Sequence, residues 1–181
     1  MEIIFLIFLD FDGVLNSRAF LMANDYGERS NELDSMLDDF RVARNVQIDA
    51  IDVKQIDPSK VALLNQIVKE TGAKIVVSSS WRIGKSIEHL QAILDFHGFV
   101  GEVIGKTCSF NNADKVRGDE IYDWLFDYFH APPTSEFVRE QFVIIDDDSD
   151  MGDFEDRLVH TSFAKGLQPE HVAQAISMLN E

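Results

Sequence analysis

The chain has 181 residues, 45% hydrophobic and 27% charged, a composition typical of a globular domain with a sizeable core, and we predict one domain over residues 1–181. No apolar run is long enough for a membrane helix, and a formal net charge of −16 disfavours nucleic acid as a partner because phosphates would be repelled. Cys108 is the one cysteine, which excludes an internal disulfide and fits a reducing, cytoplasmic location.

The first predicted element is a strand, because residues 3–9 are uniformly apolar. Such a run is typical of a strand covered on both faces. Asp10 and Asp12 follow at once, and Gly13 breaks the strand. An Asp-Gly turn is common on its own, but a buried carboxylate needs a cation or several N–H donors. In this spacing Asp10 is suited to attack an electrophile, and Asp12 to hold or donate a proton.

The next segment, residues 17–57, is acidic and polar and exceeds the usual length of a connection between a strand and a helix. Leu33, Met36, Leu37 and Phe40 share one helical face within it. We predict a small cap or lid insertion here, with a surface excursion as the alternative.

The rest of the chain alternates between helices and strands. A helix is predicted to begin at Pro58, after Asp57 as N-cap, and to end at Gly72. Further strands are predicted at 74–77, 100–104, 142–145 and 158–159, and the helices between and after them begin near Ser86, Gly118 and Pro169. This alternation predicts an α/β fold with a central, mainly parallel sheet and helices on both faces.

The strand at 74–77 is followed by Ser78, Ser79, Ser80, Trp81 and Arg82. Hydroxyl and N–H groups at such a turn can bind phosphate oxygens, although serines after a strand usually cap the next element. Arg82 is predicted either to bind a substrate phosphate or to pair with an acid. Trp81 is predicted to belong to the core or to a pocket wall.

A second acidic cluster, residues 146–150, follows the apolar strand at 142–145. Acidic runs are usually solvated turns, but here two apolar strands end in carboxylates. If these strands are neighbours, Asp10 and Asp146 converge, and a hard cation would relieve their repulsion.

The stretch from Phe8 to Asn16 resembles the first motif of the haloacid dehalogenase (HAD) superfamily, and the later clusters resemble its other motifs in order. The resemblance implies a Rossmann-like core and a phosphatase in which Asp10 is the nucleophile and Asp12 is the general acid/base. It also implies that Ser78 binds phosphate, with Ser79 as the register-shifted alternative.

The resemblance further implies a cation before the helix near Gly118, supplied by Lys115 or Arg117. We favour Arg117, although an arginine departs from the usual lysine and a surface charge is the alternative. Mg²⁺ would be held by Asp10, the Asp12 carbonyl, Asp146 and Asp147. Asp150, at a longer spacing, is an alternative ligand to either of the last two.

The function predicted from this resemblance is a Mg²⁺-dependent phosphomonoesterase acting on a small phosphorylated metabolite or a nucleotide. The Ser-Ser-Ser-Trp-Arg sequence and the segment from Leu158 to Leu167 are similar to small HAD domains associated with RNA-repair proteins. A polynucleotide end phosphatase is therefore an alternative, although the net charge disfavours nucleic acid. A metal-binding interaction domain without turnover is the alternative from a different class.

Overall fold

The computed structural model describes residues 4–24, 31–109 and 116–180, so Lys115 lies outside the described residues. Its strands are β1 (Leu6–Leu9), β2 (Lys74–Val77), β3 (Val103–Lys106), β4 (Phe142–Asp146) and β5 (Leu158–His160). They form one sheet in the order β3-β2-β1-β4-β5, and every neighbouring pair is parallel. The predicted α/β fold with a parallel central sheet is confirmed.

The helices of the described residues are α1 (Arg18–Ala23), α2 (Asn31–Arg44), α3 (Ala50–Gln55), α4 (Pro58–Thr71), α5 (Ile87–Phe96), α6 (Arg117–Phe129), α7 (Glu136–Arg139) and α8 (Pro169–Leu179). Short 3₁₀ helices cover Ser80–Arg82 and Gly152–Arg157. None of the described helices is long and apolar enough to cross a membrane.

The sheet separates two hydrophobic cores, because successive side chains of a strand point to opposite faces. Ile7 and Leu9 of β1 face a core that includes residues of α4, α5 and α8. Leu6 and Phe8 face a second core built largely from α6 and the Gly152–Arg157 segment. Strand β1 is therefore covered on both faces, as its unbroken apolar sequence predicts.

The ends of α4 are formed as the sequence predicts. The Asp57 side chain accepts a hydrogen bond from the Ser59 N–H (2.8 Å), and Pro58 occupies the first turn. Gly72 ends the helix in the left-handed conformation with φ of 71°. These two signals fix where the chain enters and leaves the layer that packs beside β1 and β2.

The prediction for β3 was wrong in position, because the strand begins at Val103 rather than residue 100 and continues to Lys106. Val100 is 56% exposed and lies before the strand. The strand also continues through Gly105, beyond its predicted end at residue 104. The missing side chain of Gly105 makes room for the Trp124 ring, which a Cβ at Gly105 would approach to 2.9 Å.

The described residues of the segment 17–57 contain α1, α2 and α3, and the predicted helical face lies within α2. Leu37 and Val53 are each 1% exposed and belong to the core that Ile7 and Leu9 face. The Phe40 ring meets the Phe96 ring of α5 edge-on at 5.4 Å. These described parts of the segment pack against the domain, and a role as cap or lid stays a prediction.

Candidate active site at the carboxyl ends of the strands

The sheet register brings the sequence motifs to one edge. Leu9 of β1 pairs with Val77 of β2 and with Ile145 of β4, so the residues that follow these three partners emerge together. The Asp10 N–H donates to the Ile145 carbonyl at 3.0 Å. The carboxyl ends of parallel strands are where α/β proteins bind ligands.

Three carboxylates meet at this edge. One oxygen each from Asp10, Asp146 and Asp147 can be chosen so that all lie within 4.8 Å of one another. Asp10 is 4% exposed and Asp146 is fully buried. Burial and then the nearby Asp10 charge raise the pKa of Asp146 to about 7. Burial also raises the pKa of Asp10, against the opposing effect of Arg117.

Arg117 places a positive charge among these acids. Its Nη1 lies 3.2 Å from Asp10 Oδ1 and 3.0 Å from Asp146 Oδ2, and it donates to the Ser78 carbonyl at 3.1 Å. Burial opposes the charged guanidinium, but Asp146 and then Asp10 outweigh it and raise the pKa of Arg117. Arg117 therefore remains charged and offsets part of the acidic cluster.

Asp150 positions Arg117 by capping the helix that carries it. The Asp150 carboxylate accepts the Arg117 N–H at 3.2 Å, and the Asp150 carbonyl accepts the Gly118 N–H at 3.1 Å. Gly118 is needed for this close approach, because a Cβ there would lie 2.2 Å from the Met151 carbonyl oxygen. Asp150 thus serves α6, whereas Asp146 and Asp147 join Asp10.

Asp12 is held on both of its carboxylate oxygens. The Asn16 side chain donates to Oδ1 at 2.8 Å, and the Trp81 indole N–H donates to Oδ2 at 3.0 Å. Asn16 in turn accepts the Gly13 N–H at 2.9 Å. These contacts fix the orientation of the Asp12 carboxylate.

Gly13 allows the first and fourth motifs to touch. It adopts a φ of +69°, and a Cβ would lie 2.2 Å from the Asp147 carboxyl carbon. The Thr161 hydroxyl donates to the Gly13 carbonyl at 2.7 Å and ties the turn to the segment after β5. Any larger residue at position 13 would displace Asp147.

The two serines after β2 have different surroundings. Ser78 is fully buried, and its hydroxyl has no hydrogen-bond partner among the described residues. The Ser79 side chain hydrogen-bonds Asp10 and also accepts the Trp81 N–H at 3.3 Å. An unpartnered buried hydroxyl is costly unless a ligand completes it, so Ser78 is the serine with capacity for a phosphate oxygen.

The phosphate-binding prediction for Arg82 does not fit the structure. Its guanidinium donates to the carbonyls of Ser78 and Ser79, Thr107 and Cys108, and to the Glu120 carboxylate. These five bonds use all five N–H donors of an arginine. Arg82 therefore joins the segments after β2 and β3 to α6. It pairs with an acid, as the second alternative predicts, and that acid is Glu120, whose side chain is only 14% exposed.

The cluster suits a hard divalent cation. Such ions prefer oxygen ligands, and three carboxylates supply them here. Asp146 Oδ2 is buried and, apart from its ion pair with Arg117, has no hydrogen bond. Burial is the main cause of the raised pKa of Asp147, and repulsion from the Asp10 charge is the next. A bound cation would offset this repulsion.

A family model described as the HAD domain in Swiss Army Knife RNA repair proteins matches residues 6–172. The chain belongs to this family. No curated protein and no solved structure matched the chain. The HAD membership predicted from the sequence is thus confirmed, and this membership suggests a phosphatase-type function.

Two contacts of this HAD site were not anticipated from the sequence. Asn16, four residues after Asp12 in the same turn, has a spacing that could have suggested its bond to Asp12. Trp81 lies 69 residues from Asp12, and no local pattern signals that contact. The capping role of Asp150 was not anticipated either. The sequence offers Asp150 as an alternative metal ligand, because an acidic run does not show which way each of its side chains points.

Proposed function

We propose that this HAD domain is a Mg²⁺-dependent phosphomonoesterase that acts on a small phosphorylated metabolite or a nucleotide. The observation that supports it best is the buried Asp10, which lies beside two further carboxylates at the carboxyl edge of the sheet and contacts Arg117 at 3.2 Å. A nucleophilic carboxylate needs neighbouring positive charge to accept a dianionic phosphate.

In the first step an oxygen of Asp10 attacks phosphorus, and the bond from phosphorus to the leaving oxygen breaks. Asp12 gives its proton to that oxygen, and an aspartyl-phosphate forms on Asp10. In the second step a water attacks phosphorus, Asp12 takes the water proton, and the bond from Asp10 to phosphorus breaks. Inorganic phosphate leaves, and both carboxylates return to their starting states.

Two groups of this chain are suited to hold the phosphoryl oxygens. The Ser78 hydroxyl is buried without a partner, and it would gain a hydrogen bond from the substrate. Arg117, at 17% side-chain exposure, would offset the negative charge of the phosphate as it offsets Asp10. Lys115 is the alternative cation, and Ser79 orients Asp10.

Mg²⁺ would be held by Asp10, Asp146, Asp147 and the backbone carbonyl of Asp12. When bound, it supplies charge neutralisation, which lets an anionic nucleophile meet an anionic phosphate.

A polynucleotide end phosphatase is the second candidate, and the RNA-repair association of the family supports it. The net charge of −16 opposes long-range attraction of a polyanion. An interaction domain without turnover is the third candidate, and absence of hydrolysis would favour it.

The test is hydrolysis of 4-nitrophenyl phosphate with Mg²⁺ and with EDTA. Asp10→Asn keeps the shape and should lower kcat by about 10³-fold or more, because the attacking charge is lost. Asp148→Asn is the matched control, since Asp148 is exposed beside the same cluster. Near-normal turnover by Asp10→Asn would refute covalent catalysis at this residue. A panel of phosphorylated metabolites and of oligonucleotides with 3′- or 5′-phosphates would then separate the first two candidates.

A further inference from the structure

The two N–H groups that donate to the Asp12 carboxylate come from different parts of the chain. Asn16 lies in the same turn as Asp12, so its bond moves with that turn. Trp81 belongs to the 3₁₀ helix after β2 and reaches Asp12 Oδ2 at 3.0 Å. The indole is rigid and has one donor in a fixed direction. Because each carboxylate oxygen has two lone pairs, Asp12 can accept this bond and still carry a proton.

The indole of Trp81 is itself fixed from two sides. Its ring packs against the Phe11 ring at 5.3 Å between centroids. Lys85 Nζ lies 5.7 Å from the same ring, in the range of a cation–π contact. Lys85 is paired with Asp52 at 3.4 Å, and Asp52 lies in α3 of the 17–57 segment.

These contacts form a continuous path from α3 to the general acid/base. Asp52 holds Lys85, Lys85 lies over Trp81, and Trp81 holds Asp12. An acid that protonates a leaving oxygen must present its proton in one direction, and a small misplacement is costly in rate. We infer that Trp81 is a positioning residue for Asp12 and that α3 supports it through Lys85. The inference rests on the proposed function, in which Asp12 donates the proton.

The test compares Trp81→Phe with the unaltered protein on 4-nitrophenyl phosphate and phenyl phosphate. 4-Nitrophenolate leaves without a proton, whereas phenolate needs one, so only the second substrate depends strongly on the acid. The value of kcat/KM reports only the steps up to departure of the leaving group. It is therefore insensitive to the later step, in which Asp12 acts as a base. We expect kcat/KM to fall about tenfold for phenyl phosphate and less than about threefold for 4-nitrophenyl phosphate.

Trp124→Phe is the matched control, because Trp124 packs against Phe8 on the opposite face of the sheet. It should leave the ratio of the two kcat/KM values unchanged. If Trp81→Phe leaves the ratio of the two kcat/KM values unchanged, whether or not both values fall, the inference is overturned. Asp12→Asn should show a larger selective loss than Trp81→Phe. If Asp12→Asn shows no selectivity between the substrates, the proposed acid role of Asp12 fails, which is a different result from failure of Trp81 alone.

A second variant keeps the inference testable if Trp81→Phe does not fold, as judged by its melting temperature against that of Trp124→Phe. Lys85→Met removes the charge over the indole and keeps an unbranched side chain there. We expect a smaller selective loss, a fall in kcat/KM of about threefold on phenyl phosphate, which matches the free energy of an exposed cation–π contact. Equal kcat/KM ratios in Lys85→Met and the unaltered protein would overturn the support from α3.

Discussion

Arg82 offers the sharpest stability prediction, because the two roles that the sequence leaves open for it, binding a phosphate and pairing with an acid, differ in their effect on stability. If it bound a substrate phosphate, its removal would raise KM and leave the free energy of unfolding nearly unchanged. The structure instead has Arg82 6% exposed, with all five donors engaged by the protein. Arg82→Met keeps a side chain of similar reach and removes every donor, so it separates the two roles.

The expected loss follows from the partners of Arg82. The bonds to the carbonyls of Ser78, Ser79 and Thr107 are buried, and each contributes about 1 kcal/mol. The ion pair with Glu120 has side chains 7% and 14% exposed, and a hydrogen bond to a charged group contributes about 1.5 kcal/mol or more. These contributions, with the cost of the acceptors left unpaired, predict that Arg82→Met lowers the free energy of unfolding by about 4–5 kcal/mol. This is a large part of a typical folding free energy.

The assay is urea unfolding at equilibrium, with the slope on urea concentration checked for two-state behaviour. For a chain of this size the loss corresponds to a fall in melting temperature of about 10–15 °C. Arg44→Met is the matched control, because the Arg44 side chain is 61% exposed and its ion pair with Asp95 is long, at 3.6 Å. Its removal should lower the free energy of unfolding by less than about 1 kcal/mol. A loss below about 1 kcal/mol in Arg82→Met, with KM strongly raised, would refute this assignment.

The remaining predictions concern the acidic cluster. Mg²⁺ should raise the melting temperature by linkage, and Asp147→Ala should reduce that rise, whereas the same rise in both proteins would contradict a role for Asp147 in holding the metal. In EDTA, the raised pKa of Asp146, about 7, means that its proton stabilises the fold. The free energy of unfolding should therefore lose this contribution as pH rises from about 4 to about 7. Asp146→Asn should have a shallower pH dependence in urea titrations over that interval, and an unchanged slope would show that Asp146 does not cause it.

The strand ends could be predicted because an apolar run followed by carboxylates or hydroxyls is a local signal. Asp10, Ser78 and Asp146 were all identified from such signals, and the parallel order of the sheet brings them together. The α4 boundaries were predictable for the same reason, since Asp57 and Gly72 cap the helix through backbone groups only a few residues away.

The direction in which a side chain points was harder to predict than its position at a strand end. The side chains of Arg82 and Asp150 could each face a ligand or the protein, and only the packed structure decides between these. Arg82 faces carbonyls from two strand ends, and Asp150 faces the first turn of α6. The β3 boundary failed for a related reason. Gly105 looks like a break in sequence, but the Trp124 ring explains it, and that ring comes from a distant helix.

The sheet order has a consequence for how activity develops during folding. Strand β1 lies between β2 and β4, so Leu6 pairs with Phe142 from far along the chain. Contacts between distant residues form slowly, because the loop between them must first be closed. Asp10 meets Asp146 only when that pairing is complete. We therefore expect recovery of activity after dilution from urea to follow the slowest folding phase, and partly folded chains to lack hydrolysis even where their helices have formed.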